Sequence, residues 1–575
     1  MATGEGRRGQ GHAPVAGLVL LRGYQLTWLR PDVVAGLTVG AMLVPQSMAY
    51  AELAGVPAAT GLYASLLAPV AYALTGTSRH LGTGPEPGTA ILAATGVAAV
   101  AGTAPEPSRY LALMAALALL VGVVSGIAWL LRLGFVAHLL SKPVLVGYIS
   151  GVGFVLLSSQ LSALTGVPIT ADTFFPRLIE FVRGIGQLRP VTVLLGLSCL
   201  LMILGLRRFA PRTPGALIAV GLATAVSVSF DLPARGDPTI GAIPTGLPAL
   251  TLPAVAMGDL RALLPVALGV ALVGFSDNVL TGRAVATKMG YRIDANQELA
   301  GLASANLGAG LLQGMPVSSS ASRSAVAASL GGVTSVVSIL AAGVVAVTLL
   351  VAGDVLGAVP RAALAAVIVA AAFAIIDPPG FCQLWRISRS ELGLAVITSL
   401  GVMIFDVLVG VVVAVALSVV IALARMSRPE DSVLGARDDL DGWVSVGSDP
   451  RARTLPGLLV YRFDAPLFFM NVEHFRTRLL DTLQDNPGEE IWVVLDFEGI
   501  GDIDATALDE VADVLELLDE QHVEVIAVAR ANTRTLGRLA RAQLLAPHGR
   551  LQVFATINAA VEAFEHRGPP SEGMP

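Results

Sequence analysis

Two short polar stretches, HLGTGPEPGTAILAA (residues 80–94) and LLQGMPVSSSASRSAV (residues 311–326), interrupt an otherwise apolar chain at matching places. Each passes through Gly and Pro into small hydroxyl residues and then opens a new helix, so both read as broken helices whose amino ends stop inside a membrane. A helix start carries four free backbone N–H groups and a partial positive charge, and two such starts facing each other make a pocket for an anion. Gly/Pro-interrupted segments paired across two halves of a membrane protein mark the midplane site of an inverted-repeat transporter.

The rest of the chain agrees with a lipid-dissolved fold. Of its 575 residues, 54% are hydrophobic and 14% charged, and the mean hydropathy is +0.72. A span needs ~20 apolar residues and a broken half-span fewer. That ruler predicts fourteen helices, near 32–52, 57–75, 86–101, 109–131, 140–163, 190–207, 214–230, 260–283, 296–313, 320–331, 333–352, 361–376, 391–405 and 407–426. Fourteen divides into seven plus seven, and the two breaks fall at the third element of each half, the relation an inverted repeat requires.

Loop charge sets the expected topology. With the amino end inside, Arg79, Arg132, Lys142, Arg207, Arg208, Arg212, Arg283, Lys288, Arg292, Arg386, Arg389, Arg425 and Arg428 fall in cytoplasmic loops, and both termini lie in the cytoplasm of a multi-pass protein of the inner (cell) membrane. Arg177, Arg183 and Arg189 run against this pattern, spaced as one face of a short interfacial helix outside. The polar first residues, 1–30, read as a retained cytoplasmic tail rather than a signal peptide.

After Pro429 the composition breaks: 26 acidic and 12 basic residues give a net −14 there, against +8 upstream. The domains are therefore expected as a tail (1–30), a membrane domain (31–428), a linker (429–456) and a small α/β domain (457–567), the last from β-like runs such as LLVYRF and IWVVLDF alternating with amphipathic helices. Neither half has the clustered basic surface of a nucleic-acid binder. The two cysteines, Cys199 and Cys382, lie far apart and lack metal-ligand spacing; no metal or other cofactor is expected, apart from a sodium ion or proton as coupling ion.

Long motifs carry a family resemblance. PDVVAGLTVGAMLVPQSMAYAELAGVPAATGLYASLLAPVAYALTGTSRHLGTGPE and MGYRIDANQELAGLASANLGAGLLQGMPVSSSASRSAV resemble the SulP, or sulfate permease, family of inorganic-anion transporters. VVLDFEGIGDIDATALDEV resembles the STAS domain usually fused to them. The resemblance covers nearly the whole chain. It implies a fourteen-span, uracil-permease-like fold of two inverted seven-helix repeats, with a core domain moving against a gate domain in an elevator-like motion, and a cytoplasmic STAS domain. It also implies a small oxyanion or halide as substrate, a homodimer in the lipid bilayer, and a cytoplasmic protein or nucleotide as candidate partner of the STAS domain.

The expected substrate site combines half-helix starts with side chains facing them. Gly88 and Thr89 open the first half-helix, and Ser318, Ser319, Ser320 and Ser322 open the second, so amides and hydroxyls converge; the same residues also suit helix capping. Arg323 lies one turn inside the second half-helix, where an idle arginine would be too costly in a bilayer, and an ion pair with a nearby acid is the competing role. Gln46 and Tyr50 sit one turn apart on the first span and resemble family positions lining the site. Glu86 stands at the mouth of the pocket, where many family members carry an apolar or aromatic residue. Either it takes up a proton as the anion binds, or it caps the half-helix and pairs with Arg323.

Asp277 and Thr281 share one face of the eighth span, a coupling-ion position for a proton or for sodium. Many relatives resembling this chain carry Glu at that place, whereas the sodium-dependent bicarbonate branch carries Asp followed one turn later by Thr. In the tail, Thr506 follows Asp502 and Asp504 at a strand-to-helix turn, a place for a cap or a regulatory phosphate. No Walker loop or catalytic triad is present, so no enzyme activity is expected.

The reading is a secondary active transporter of a small inorganic anion, sulfate first, coupled to protons or sodium. Sodium-dependent bicarbonate transport is the alternative substrate reading. A membrane-anchored STAS signalling protein and an uncoupled anion channel are the readings from other classes.

Overall fold

The computed structural model describes residue 17 and residues 23–566, except 103–105, 139–140, 172, 211–212, 233–236, 242, 406, 438, 486–491, 522 and 547–549. Most of the expected amino-terminal tail, and Arg212 among the loop cations, lie outside the described residues. The chain divides into two compact units, Met1–Ser418 and Val419–Pro575.

In the first unit the seven repeat helices of the amino-terminal half are α1 (Leu29–Leu53), α2 (Ala58–Thr75), α3 (Pro87–Ala101), α4 (Pro107–Leu130), α5 (Lys142–Ser159), α6 (Pro190–Phe209) and α7 (Gly215–Ser229), with shorter helices between α5 and α6. Their counterparts are α8 (Met257–Met289), α9 (Ala295–Leu311), α10 (Ala321–Ser329), α11 (Val336–Val351), α12 (Arg361–Ile375), α13 (Arg389–Phe405) and α14 (Val407–Ser427), the last continuing into the second unit. Among the described residues seven helices are long and apolar enough to cross a membrane, and four shorter apolar helices join them.

The local reasons for these helices are ordinary. Proline at the first position, where the missing N–H is no loss, starts α4 and α6. Gly290, at φ +74, closes α8 in the left-handed conformation that stops a helix. The span expected at 140–163 is shorter than its apolar run: α5 ends at Ser159, and Leu161–Thr165 forms a separate turn closed by Gly166 at φ +75. Arg177 and Arg183 lie on a short helix, Phe174–Arg183, but Arg189 lies beyond it as the N-cap of α6, so the three arginines do not share one helix.

Helix packing shows the repeat directly. α4 packs on α9 as α11 packs on α2, α1 on α11 as α8 on α4, and α5 on α13 as α12 on α6. Each relation becomes the other when the two halves are exchanged. An odd number of elements per half then sets the halves in opposite directions across the bilayer. Close approach is achieved with small residues, as membrane helices require in the absence of a hydrophobic drive between them. A Cβ on Gly40 would lie 2.6 Å from Val344 Cβ of α11, and one on Gly147 would lie 2.2 Å from the Ala395 carbonyl oxygen of α13.

The second unit is a six-stranded sheet in the order β4-β3-β5-β6-β7-β8, formed by β3 (Asp431–Arg437), β4 (Leu440–Ser445), β5 (Leu458–Phe463), β6 (Trp492–Asp496), β7 (Val525–Ala529) and β8 (Leu551–Phe554). β5 to β8 run parallel and are joined by α15 (Val472–Asp485), α16 (Ala505–Glu520) and α17 (Thr533–Arg541), with α18 (Ile557–Glu565) last. The first three helices cover one sheet face around Leu459, Phe475 and Val511, and α18 covers the other around Val460 and Ala560.

Residues 429–456, expected as a linker, instead contribute the hairpin β3–β4, whose β3 pairs antiparallel with β5. The open edge of β5 needs backbone partners, and Leu434 and Trp443 add apolar surface to the sheet face that α18 covers. The charged turn hid this pairing: Arg437 binds Asp439 and Asp449, so a polar run that looks like a spacer is a self-neutralised hairpin end.

Candidate functional site

The two polar breaks meet. β1 (Gly82–Gly84) and β2 (Ser318–Ser320) form an antiparallel ribbon that pairs Gly82 with Ser320, Thr83 with Ser319 and Gly84 with Ser318. The half-helices α3 and α10 leave the carboxyl ends of these strands, and the Thr89 and Ser318 hydroxyls join them at 2.7 Å. Asn306 of α9 fixes the entry to β2: its amide donates to the Val317 carbonyl and accepts from the Val317 N–H, both at 3.0 Å. Ser324 fixes β1 to α10, accepting from Gly82 N at 2.9 Å and donating to the Ser320 carbonyl at 2.7 Å.

The glycines of GTGP make room for Arg323. A Cβ on Gly82 would lie 2.7 Å from Arg323 Cβ, and one on Gly84, at φ +154, would lie 3.3 Å from its terminal nitrogen. Arg323 is 0% exposed. Its guanidinium donates to Gln46 Oε1 at 3.0 Å, the Pro85 carbonyl at 3.1 Å and the Gly82 carbonyl at 3.4 Å. Among the described residues its Nε has no acceptor. The full positive charge is thus hydrogen-bonded by neutral oxygens, and Glu86 acts on it electrostatically without forming a direct ion pair. Gln46 of α1 is the buried amide partner, and Tyr50, one turn on and also buried, interacts electrostatically with both Arg323 and Glu86.

Glu86 is the N-cap of α3. Its Oε2 accepts from Gly88 N at 2.8 Å and Thr89 N at 3.3 Å, with Pro87 at the first helical position. The ion pair with Arg323 that a capping role was expected to include is not formed: the guanidinium is spent on Gln46 and two ribbon carbonyls. At α10 the N-cap is Ser320, whose side chain makes no capping bond and pairs instead with the Ser322 hydroxyl at 3.0 Å. Ser318 and Ser319 are buried, and Ser322 is exposed.

Asp277 and Thr281 lie one turn apart on α8, both half-buried. Asp277 interacts electrostatically with Glu86, which brings the two carboxyl groups into one site. One further residue belongs here that the sequence reading missed, and a second stands beside Asp277 in the chain. Tyr148 of α5 is 5% exposed, its hydroxyl has no hydrogen-bond partner among the described residues, and it interacts electrostatically with both Asp277 and Glu86. Asn278, next to Asp277 on α8, is 0% exposed with neither amide atom partnered among the described residues. Neither stands in a polar break, so no local pattern marked them; a tyrosine or asparagine inside a span is an ordinary packing residue until its neighbours are known.

The matching families follow this geometry. Residues 29–398 match the sulfate permease family and residues 449–560 the STAS domain. The chain belongs to the sulfate permease family. Two Mycobacterium tuberculosis proteins, each named a probable sulfate transporter, are 43% identical over 557 residues, which is 97% of this chain and 99% of theirs. Arabidopsis thaliana sulfate transporter 4.1, chloroplastic, is 28% identical over 93% of this chain and 80% of its own. The fold is that of murine Solute Carrier 26 family member A9, an anion transporter solved in the inward-facing state, with a TM-score of 0.87 at 24% identity over 96% of this chain and 94% of that one. The transmembrane domain of a cyanobacterial bicarbonate transporter, BicA, aligns with a TM-score of 0.58 at 24% identity over 69% of this chain and 98% of that one.

This sulfate permease family member is therefore a multi-pass membrane transporter and not an enzyme, with a STAS domain that follows the membrane helices in the chain. In that domain Asp504, not Thr506, caps α16, accepting from Ala507 N at 2.8 Å. Thr506 is left exposed in the first turn.

Proposed function

We propose that this chain is a secondary active transporter that carries sulfate across a cytoplasmic membrane, coupled to protons, by elevator-like motion of the half-helix core against the gate helices. The observation that carries the reading is Arg323, fully buried beside two half-helix starts with only neutral acceptors. An anion completes that charge balance, and a carrier that must release its cargo does better with dipoles and one shared charge than with a closed ion pair. The names of the relatives support sulfate as the anion.

Glu86 and Asp277 are the groups we assign to proton coupling. The single-turn spacing of Asp277 and Thr281 favours a second reading, sodium-dependent bicarbonate transport, with their oxygens as sodium ligands. The basic loops support both termini in the cytoplasm. A homodimer, and a protein or nucleotide partner for the STAS domain, complete the reading. Uptake into proteoliposomes tests it: sulfate accumulation driven by an inward pH gradient without sodium is expected, whereas bicarbonate accumulation that requires sodium establishes the second reading and refutes the first.

A further inference from the structure

We propose that the Glu86 carboxylate is a resident anion, seated at the start of α3 until an oxyanion substrate displaces it. This rests on the transport reading. The carboxylate takes the two amides, of Gly88 and Thr89, that an incoming anion would need at that helix start.

Three observations show that the place is built for more than a cap. Arg323, wholly buried, reaches the Pro85 carbonyl one residue before Glu86 and keeps an unpartnered Nε. Tyr148, on the facing helix α5, offers a buried and partnerless hydroxyl in electrostatic reach of the same carboxylate. The matching cap position at α10, Ser320, makes no capping bond, so one helix start is filled by the chain itself and the other is not.

Displacement needs only a side-chain swing. Pro85 and Pro87 flank Glu86 and hold its backbone extended, at φ −143 and ψ 142, so the tether is fixed while the carboxylate rotates. Glu86 and Gly88 are half-buried while Pro85, Pro87 and Thr89 are buried, so the carboxylate sits at the accessible edge of the helix start. Exchange of the carboxylate for an oxyanion keeps a negative group at the helix start throughout. It also favours ligands that present oxygens as a carboxylate does, placing sulfate and bicarbonate ahead of a halide.

The test is sulfate binding to the purified full-length protein by titration calorimetry, comparing wild type with E86S, in which a serine can still cap α3 without a charge. Removal of the competitor is expected to lower the sulfate Kd about tenfold, with a smaller gain for chloride. A folded E86S that binds sulfate no more tightly than wild type overturns the proposal. If E86S does not fold, E86Q, whose amide oxygen also caps, is read by the same criterion. Proteoliposome flux of the wild type tests the transport reading separately: binding that tightens in E86S without any flux sustains this proposal and refutes transport, and flux without tightening does the reverse.

Discussion

Replacement of Arg323 by lysine separates charge from geometry at the centre of the molecule. The guanidinium holds three buried acceptors, Gln46 Oε1, the Pro85 carbonyl and the Gly82 carbonyl, from a planar fork threaded past two glycines. An ammonium at the end of a flexible stem is a point donor and satisfies one of them well. Two buried acceptors then lose their donors at ~1–3 kcal/mol each, and because the Gly82 bond is already long at 3.4 Å, the lower part of that range applies, ~2–4 kcal/mol in all. The site keeps its positive charge but the ribbon loses the clamp that sets both half-helix starts. Thermal unfolding can be followed in detergent with a thiol-reactive dye after the exposed Cys382 is blocked, since Cys199 is buried in the membrane unit. We expect R323K to melt several degrees below wild type and to lose sulfate uptake at least tenfold. A variant that melts with wild type and transports with an unchanged KM would show that charge alone matters and that the fork geometry does not.

Glu298 of α9 accepts from Tyr72 Oη at 2.5 Å, Thr77 N at 3.0 Å and Thr77 Oγ1 at 2.5 Å, so E298Q sets an amide N–H₂ against donors and should cost ~1–3 kcal/mol in the same melt; an unchanged melting point would refute this clasp. Gly147→Ala places a Cβ 2.2 Å from the Ala395 carbonyl oxygen, so α5 and α13 must separate, at ~1–3 kcal/mol, which a dye melt measures; Gly205→Ala, with open space beside it, should be silent. In the STAS domain the hydrogen bond from Arg437 holds the Asp439 carboxyl below its ordinary 3.8, and the Arg451 backbone N–H, with Arg437, does the same for Asp449. A lowered folded value stabilises the hairpin above pH 3.8 and loses that contribution as pH falls below it, so the protection factors of residues 431–445, exchange rates corrected for the intrinsic pH dependence, should fall in acid, and R437Q should show the lower protection already at neutral pH.

How much of this was legible in the sequence depends on the range of the interaction. Span positions follow from local hydropathy, and most of the expected segments differ from the observed helices by a few residues; the larger departures are α8, which runs six residues past the expected end to Met289, and the run that Gln160 and Gly166 break after α5. The half-helices were legible because Gly, Pro and hydroxyl residues announce them. The clasps were not. Asp32, which accepts from Val333 N and from Thr334 N and Oγ1, is 301 positions away from Val333 in the chain, and no local pattern connects them. Tyr148 and Asn278 escaped for the same reason, and the β3–β4 hairpin escaped because its partner strand, β5, comes later and its turn is charged.

The two halves share a scaffold, yet their half-helix starts differ where function needs a difference. Exchange symmetry relates the helix packings pair by pair, and it also pairs the cap positions Glu86 and Ser320. A symmetric site with two carboxylate caps would repel any anion, and one with two serine caps would present two helix starts and Arg323 with no resident negative charge, binding an oxyanion too tightly to release it. One of each gives a site whose positive ends are half neutralised when empty. Arg323 enters from the serine-capped side and crosses the ribbon to the carbonyls of the glutamate-capped side, a crossing that glycine at 82 and 84 alone permits. The repeat therefore supplies the pocket, and the substitutions that break its symmetry set the depth of the well.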